Sequence, residues 1–278
     1  MMPDRATAAC ELLEFYAEAG VDALVGEAPA DRLASSHVEV TIADTAPAPE
    51  RPPLPRLHAA APAPPATASP GAPAAPDIAV MAARESARKA ASLDELRDML
   101  MKFQGCALRT TAKQLVFADG NPQARVMFVG EAPGREEDLE GLPFVGRSGK
   151  LLDLMMAAIG LDRTGAYIAN IIPWRPPGNR TPTPQESQIC LPFIQRQIEL
   201  ANPDILVCLG GPASQTLLGV KEGIKRTRGR WFSFQTGTRE IKAIATFHPA
   251  YLLRSPLEKR FAWRDFLAIK KVLDHNDT

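Results

Sequence analysis

Three segments of the sequence carry residue types suited to recognising a planar heterocycle. The segment Gly130–Asp138 reads Gly-Glu-Ala-Pro-Gly-Arg-Glu-Glu-Asp and directly follows the apolar run 126–129. Its two glycines let a ligand approach the backbone closely, and its proline stiffens the turn. Phe144 follows ten residues after Gly134, and His248 opens the later segment His-Pro-Ala-Tyr-Leu-Leu-Arg. Together they offer backbone donors, carboxylates, an aromatic face and an imidazole, which are the parts of a base-recognising pocket.

Apolar runs that alternate with amphipathic segments predict the elements that position these residues. The strand-like runs are 126–130, 167–172, 204–210 and 242–247, and the helix-like runs are 148–159, 184–200, 212–218 and 257–273. Strands separated by helices of this length pair in parallel through right-handed crossovers. The sequence therefore predicts an α/β fold, a three-layer α/β/α sandwich around a central four-stranded parallel sheet. Ligands of such sheets bind beyond the carboxyl ends of the strands. The residues predicted at or just past those ends are Gly130, Asn170, Gly210 and His248.

Charge is distributed unevenly along the 278-residue chain. Lys plus Arg and Asp plus Glu both number 32, so the formal net charge is zero. Residues 1–80 hold 4 basic and 11 acidic side chains, whereas residues 81–278 hold 28 basic and 21 acidic ones. A basic globular part favours a polyanionic partner, although ordinary surface charge explains this balance equally well.

Cysteine spacing and hydropathy limit the class of protein. The four cysteines are far apart and include no Cys-x-x-Cys pair, which argues against a disulfide framework and a zinc ribbon. No apolar run is long enough to span a bilayer, and the N-terminus lacks a basic-then-apolar signal pattern. We therefore expect a cytoplasmic protein with no membrane partner.

Composition divides the chain into three predicted parts. Residues 1–45 are expected to form an N-terminal helical extension. Residues 46–85 are rich in Ala and Pro and are expected to form a flexible, extended linker. Residues 86–278 are expected to form the compact domain, in which Ser92–Glu95 is a capping box that opens the first helix.

Five motifs in the expected order resemble those of the family-4 uracil-DNA glycosylases, within the uracil-DNA glycosylase superfamily. They are Gly130–Gly134 with Glu136–Asp138, then Pro143–Arg147, Tyr167–Asn170, Arg175–Arg180 and His248–Arg254. The resemblance runs from about Gly105 to Lys271. It implies the uracil-DNA glycosylase fold for the domain. It also implies a DNA repair enzyme that flips out uracil and hydrolyses its N-glycosidic bond, leaving an abasic site for base-excision repair.

The resemblance implies how the base would be bound. Phe144 would stack on the flipped uracil, which offsets part of the free energy of unstacking. Asn170 would read the Watson–Crick edge, because its amide offers one donor and one acceptor to O4 and N3–H. Cytosine reverses that pattern and would be rejected. Ala132, together with Glu131, would bound the base through backbone groups.

The catalytic residues that the resemblance implies are His248, Glu137 and Glu131. Cleavage expels the base as an anion and leaves a sugar cation, so His248 would stabilise the charge that develops at O2. The carboxylate of Glu137 would orient water and favour the cation, and Glu131 would help to position water through backbone groups. No Lys stands at a motif position, so we expect a monofunctional hydrolase without a covalent enzyme intermediate.

The resemblance also implies contacts with DNA. The residues expected there are Arg147, Arg180, Tyr251, Leu252 and Arg254. The segment Ala250–Arg254 would enter the minor groove, with Leu252 or Leu253 filling the vacated stack and Arg254 on phosphate. The expected partners are uracil-containing DNA and its abasic product, and we expect a monomer.

The cofactor pattern of the family is incomplete in this sequence. Family-4 enzymes usually hold a 4Fe–4S cluster with four cysteines, of which Cys106 and Cys190 match the second and fourth. Phe103 and Trp174 stand at the first and third positions, and neither side chain can ligate iron. We therefore expect no cluster, no metal and no other cofactor. Phe103 and Trp174 would fill the volume by apolar packing.

Two other functions stay open at the level of sequence. A non-catalytic or product-retaining reader would bind uracil or abasic sites in DNA and recruit partners through the Ala/Pro-rich arm. A small-molecule nucleotide enzyme would use Gly130–Gly134 as a phosphate loop. The chain has neither Gly-x-x-x-x-Gly-Lys-[Ser/Thr] nor the dinucleotide glycine pattern, which disfavours the second alternative.

Overall fold

The computed structural model describes residues 76–275 of the chain. Its helices are α1 (Pro76–Lys89), α2 (Leu93–Lys102), α3 (Leu108–Thr111), α4 (Arg135–Glu140), α5 (Arg147–Ala157), α6 (Pro184–Ala201), α7 (Gly211–Leu218), α8 (Ile224–Thr227), α9 (Pro249–Arg254) and α10 (Lys259–His275). Its strands are β1 (Asp119–Gly120), β2 (Val126–Gly130), β3 (Tyr167–Asn170), β4 (Ile205–Leu209), β5 (Trp231–Gln235) and β6 (Glu240–Thr246). None of these helices is both long and apolar enough to cross a lipid bilayer.

The six strands form one sheet in the order β1-β3-β2-β4-β6-β5. The four central strands are parallel, as the sequence predicts, and β1 and β5 add antiparallel edges that it does not predict. Strand β1 has only two residues, and in β5 only Phe234 is buried, so neither carries a strong apolar signal. The register pairs Gly130 with Asn170, which places two of the predicted site residues side by side at the carboxyl ends.

Two apolar cores cover the two faces of the sheet and confirm the three-layer α/β/α arrangement. Along β2, Val126 and Phe128 point into one core, with α5 and α10. Met127 and Val129 point into the other, with α1, α2 and α6. All five residues of β2 are buried, because a parallel sheet with helices on both faces leaves no strand face to solvent.

Helix α1 starts earlier than the predicted compact domain. It begins at Pro76, ten residues before position 86, inside the segment predicted as linker. Ala79, Ala83 and Ala87 recur along one face and are buried where α1 packs on α6. Small alanines give little amphipathic contrast in an Ala-rich region, so composition does not reveal this start. The predicted extension 1–45 and the predicted linker up to residue 75 lie outside the described residues.

Two short helices lie in motif segments that the sequence presents as loops. Helix α4 begins directly after Gly134, and α9 begins directly after His248. Both start at the carboxyl end of a parallel strand, β2 and β6 respectively. The strand ends and these helix starts therefore form one continuous edge of the molecule.

Candidate active site at the carboxyl ends of the parallel strands

A pocket of about 420 Å³ opens at this edge of the sheet. It brings together every residue predicted for base binding and catalysis, with two of the arginines predicted for DNA. Those residues are Glu131, Ala132, Glu137, Phe144, Asn170, Arg180, His248 and Arg254. Arg147, Tyr251 and Leu252 do not line it. Residues more than 100 positions apart in the sequence thus share one cavity because four loops end at the same edge.

Phe144 is buried in the pocket in a backbone conformation that phenylalanine rarely adopts. Its φ is 55°, in the left-handed region, where a residue other than glycine is strained by about 1–3 kcal/mol. Its ring lies 5.5 Å from the His248 ring between centroids, with the two planes tilted by 30°. In this conformation Phe144 lines the pocket.

Asn170 ends β3 beside this ring and is 5% exposed. Its Oδ1 has no hydrogen-bond partner within the described part of the chain. A Cβ at Gly130 would overlap Asn170 Oδ1 and would lie 2.6 Å from Phe144 Cζ, so only glycine fits there. A buried acceptor without a partner is unfavourable unless a ligand donates to it. The amide and the aromatic ring are therefore packed against one point of the backbone with an acceptor left available.

His248 is the N-cap of α9, and its Nδ1 accepts a hydrogen bond from the Ala250 N–H at 3.1 Å. In the neutral ring this bond puts the proton on Nε2, which is then a donor. Burial, and to a lesser extent the positive charge of Arg254, lowers the pKa of His248 to about 4. The site thus holds a neutral imidazole whose free N–H can donate to a ligand oxygen.

The two glutamates of the first motif have different surroundings. Glu137 accepts hydrogen bonds from the Gly134 N–H at 3.0 Å and from the Gly146 N–H at 3.1 Å, so both carboxylate oxygens tie loops together. Glu131 is half-buried, and burial raises the pKa of its carboxyl group above the ordinary value. No salt bridge to Glu131 is found among residues 76–275. Both carboxylate oxygens of Glu137 are thus engaged by backbone N–H groups, whereas the Glu131 carboxyl group lines the pocket without such a contact in the described part of the chain.

The orientation of helix α9 determines which side chains of its segment are exposed. Leu252 is fully buried with Phe247, and Tyr251 stacks on Phe247 with ring centroids 5.0 Å apart. Leu253 is 37% exposed and Arg254 is exposed at the rim of the pocket. The role predicted for Leu252 in DNA requires an exposed side chain, and this side chain is buried. Leu253, the other leucine considered from the sequence, is the exposed one.

The remaining predicted arginines lie on either side of the opening. Arg147 is exposed and is the first residue of α5. Arg180 is exposed and donates to both carboxylate oxygens of Glu186, at 2.6 and 2.9 Å. A phosphate contact by Arg180 therefore has to compete with this existing ion pair, whereas Arg147 has no such partner in the described salt bridges.

Sequence reasoning missed several lining residues in the loop after β3. Asn179, Thr181 and Pro182 line the pocket, whereas only Arg180 was assigned there. Asn179 has a φ of 55°, and its Oδ1 accepts from Arg175 Nε at 2.7 Å. The adjacent Gly178-Asn179 pair, which favours left-handed turns, was the available signal.

A pair of thiols lies away from the pocket. Cys106 and Cys190 are buried and hydrogen-bonded to each other, and that bond lowers the pKa of the Cys106 thiol. Phe103 and Trp174 are buried in the same core, and Phe103 packs edge-on against Phe193 with centroids 5.0 Å apart.

An α/β/α sandwich that gathers an aromatic ring, an amide and an imidazole beyond its parallel strands has the groups needed to hold a planar base. The family model described as the Uracil DNA glycosylase superfamily matches residues 117–267. The chain therefore belongs to the Uracil DNA glycosylase superfamily, which confirms the resemblance seen in its motifs.

Relatives named type-4 uracil-DNA glycosylase include the following three. The protein from Archaeoglobus fulgidus is 41% identical over 65% of this chain and 93% of its own. The protein from Thermotoga maritima is 42% identical over 59% of this chain and 84% of its own. The protein from Saccharolobus solfataricus is 38% identical over 66% of this chain and 87% of its own.

These relatives overturn the expectation about cofactors. Type-4 uracil-DNA glycosylases are known to bind a 4Fe–4S cluster, so the prediction of no cofactor from Phe103 and Trp174 is wrong. The described residues fit a cluster incompletely, because they place two thiols together, Cys106 and Cys190, where a cubane takes four ligands. Within residues 76–275 no group of three or more His, Cys, Asp or Glu side chains could hold a metal ion. Cys10 lies outside this range.

Proposed function

We propose that this protein removes uracil from DNA by hydrolysing the N-glycosidic bond, which leaves an abasic site for repair. The observation that carries the proposal is the convergence of Phe144, Asn170 and His248 on one pocket, with a neutral imidazole donor and an unpartnered amide acceptor. The relatives named type-4 uracil-DNA glycosylase support the same activity.

Base binding follows from the pocket geometry. A uracil stacked on Phe144 offers its N3–H to Asn170 Oδ1, the acceptor that has no partner in the described chain. The amide NH₂ of Asn170 then faces O4. Because a duplex hides this edge, the nucleotide has to be flipped out, and stacking on the aromatic ring offsets part of that free energy.

Catalysis follows from the charge that develops as the bond breaks. The Nε2–H of neutral His248 donates to O2 of the departing base, an electrostatic stabilisation that is larger in the transition state than in the bound substrate. The Glu131 carboxylate orients the attacking water and favours the sugar cation. Glu137 contributes by tying the Gly134 and Gly146 loops together.

DNA contacts are assigned to the exposed residues around the opening. Arg147 and Arg254 reach phosphates, Arg180 joins them once released from Glu186, and Tyr251 supports α9 from its stack on Phe247. Leu253 fills the space left by the flipped base, since its side chain is exposed where that of Leu252 is not. A monomer that acts in the cytoplasm and releases abasic DNA completes the proposal.

A labelled oligonucleotide with one uracil tests this function. After incubation with the enzyme and treatment with alkali, we expect strand cleavage at the uracil position. Oligonucleotides with thymine, hypoxanthine or xanthine, in single- and double-stranded form, give the substrate range. Tight binding without cleavage would favour the reader of uracil or abasic sites instead.

A further inference from the structure

The strained backbone of Phe144 is held from outside the five sequence motifs. Arg163, in the loop that precedes β3, donates from its two terminal nitrogens to two consecutive carbonyls, those of Pro143 at 3.1 Å and of Phe144. The same guanidinium is fixed by two carboxylates: Nε donates to Asp153 Oδ1 at 2.9 Å, and Nη1 pairs with Asp119. One side chain thus joins α5 and the edge strand β1 to the residue that carries the aromatic ring.

The other side of Phe144 is closed by helix α5. A Cβ at Gly149 would overlap the Phe144 carbonyl group and would lie 2.8 Å from Phe144 Cα. The carbonyl therefore lies directly on the helix and cannot move in that direction. Rotation of φ away from 55° would displace the Phe144 carbonyl from its hydrogen bond with Arg163.

From these contacts we infer that Arg163 is a positioning residue that keeps the Phe144 ring in the base pocket. It touches no part of the pocket itself, since it is absent from the lining residues, and acts through the main chain of Phe144. Only the planar guanidinium of arginine, with its five N–H donors, can hydrogen-bond to two carbonyls and two carboxylates at once. Lysine keeps the charge but cannot make all these bonds. The inference rests on the proposed function, because uracil stacking is the property that it affects.

Arg239 provides a matched control at the opposite end of the sheet. Its guanidinium also donates to two consecutive carbonyls, Asn202 and Pro203, both at 2.8 Å, and pairs with Asp204 at 3.1 Å. These residues precede β4 and do not line the pocket. Arg239→Lys therefore removes a comparable set of bonds without reaching the base site.

The experiment compares excision by the wild type, Arg163→Lys and Arg239→Lys under single-turnover conditions, with inhibition by free uracil as the second readout. Melting curves set the assay temperature well below unfolding for every variant. We expect Arg163→Lys to lower the excision rate and weaken uracil inhibition, each by about tenfold, because small misplacements of binding groups have large effects. For Arg239→Lys we expect changes below about twofold.

A double-mutant cycle with Phe144→Ala separates positioning from general destabilisation. Without the ring, Arg163→Lys should change excision by less than about twofold, since coupled residues are not additive. Equal losses with and without the ring, or equal effects of Arg163→Lys and Arg239→Lys, would overturn the inference. If Arg163→Lys does not fold, Asp153→Asn replaces it. We expect that variant to lower excision about threefold in a way that depends on Phe144, and full activity would count against the inference. Absence of excision by the wild type would instead refute the proposed function.

Discussion

The two ends of the parallel sheet differ in how their polar side chains and left-handed residues are stabilised. Each end has a residue other than glycine in the left-handed region, Asn202 at the amino-terminal end and Phe144 at the carboxyl end. Asn202 caps α6, where asparagine is a common choice, and its Oδ1 accepts from Arg239 Nε at 2.6 Å. Phe144 has no such local compensation and is held by Arg163 instead.

The same contrast holds for the amides and the ionisable groups. Asn202 has its side-chain oxygen paired, whereas Asn170 Oδ1 has no partner in the described chain. At the carboxyl end, burial lowers the pKa of His248 and raises the pKa of Glu131. The left-handed Phe144, the unpartnered amide oxygen of Asn170 and the shifted pKa values of His248 and Glu131 therefore lie together at the end that carries the pocket. Such features persist where a ligand compensates them.

The largest effect is expected for His248→Ala, which removes the donor to O2. Excision should fall about 10²- to 10³-fold, the usual loss for one oxyanion donor, while binding to uracil DNA stays largely intact. Single-turnover cleavage and gel-shift titration measure the two properties. His275→Ala, at the exposed end of α10, is the control and should change neither. If His248→Ala excised uracil at the wild-type rate, the carboxyl end of the sheet would not be the catalytic end.

The pH dependence of stability tests whether His248 is neutral in the folded protein. Its pKa falls from 6.5 to about 4, so the unfolded chain binds a proton in this window that the folded chain does not. The free energy of unfolding therefore has its full value with respect to this group above pH 6.5. It decreases as the pH falls towards 4, by up to about 3 kcal/mol. Urea unfolding of the wild type and His248→Gln between pH 4.5 and 7.5 measures the difference. A difference that does not vary with pH would contradict the buried neutral ring.

Asn170→Asp tests the unpartnered amide against its paired counterpart. A carboxylate has two acceptors and no donor. It therefore repels O4 of uracil and no longer matches the donor–acceptor pattern of the uracil edge. We expect selection of uracil over cytosine to drop about 10- to 100-fold, the range for a bidentate base contact. Competitive excision of mixed oligonucleotides measures it. Asn202→Asp makes the same chemical change beside Arg239 and should leave selection unaltered; equal behaviour of the two variants would argue against the assigned role.

The smallest effect is expected for a pair of changes in one loop. Glu137→Gln puts an NH₂ group against a backbone N–H and should lower the free energy of unfolding by about 1–2 kcal/mol. Glu131→Gln should leave stability nearly unchanged and slow excision. Thermal melts and single-turnover rates distinguish them. If Glu137→Gln slows excision at full stability, Glu137 rather than Glu131 orients the water.

Much of the fold could be predicted because strands buried on both faces carry continuous apolar runs. Strand β2 was predicted at 126–130 and is found at Val126–Gly130, and helix α6 matches its prediction within one residue. The missed elements include α4, α9, β1 and β5, which are short or polar. Their sequence patterns are too short to predict a helix or a strand, and these elements form because they pack against the rest of the chain.

The site was predictable in part from its motifs. Their order along the chain identified residues that the structure brings into one pocket. It did not show that Leu252 faces the core, because the phase of the six-residue helix α9 is set by packing on Phe247 and Ala262. Nor did it show Arg163, whose partners lie 10 to 44 positions away in the sequence.

The sequence by itself determined the layered α/β architecture, the superfamily and the chemical groups available at the strand ends. Local patterns suffice for these, since burial periodicity and motif composition are properties of neighbouring residues. Only the tertiary structure decided the protonation of His248, the partners of the two glutamates, the exposed leucine and the support of Phe144. Those depend on burial and on hydrogen bonds between distant segments, which exist only once the chain has folded.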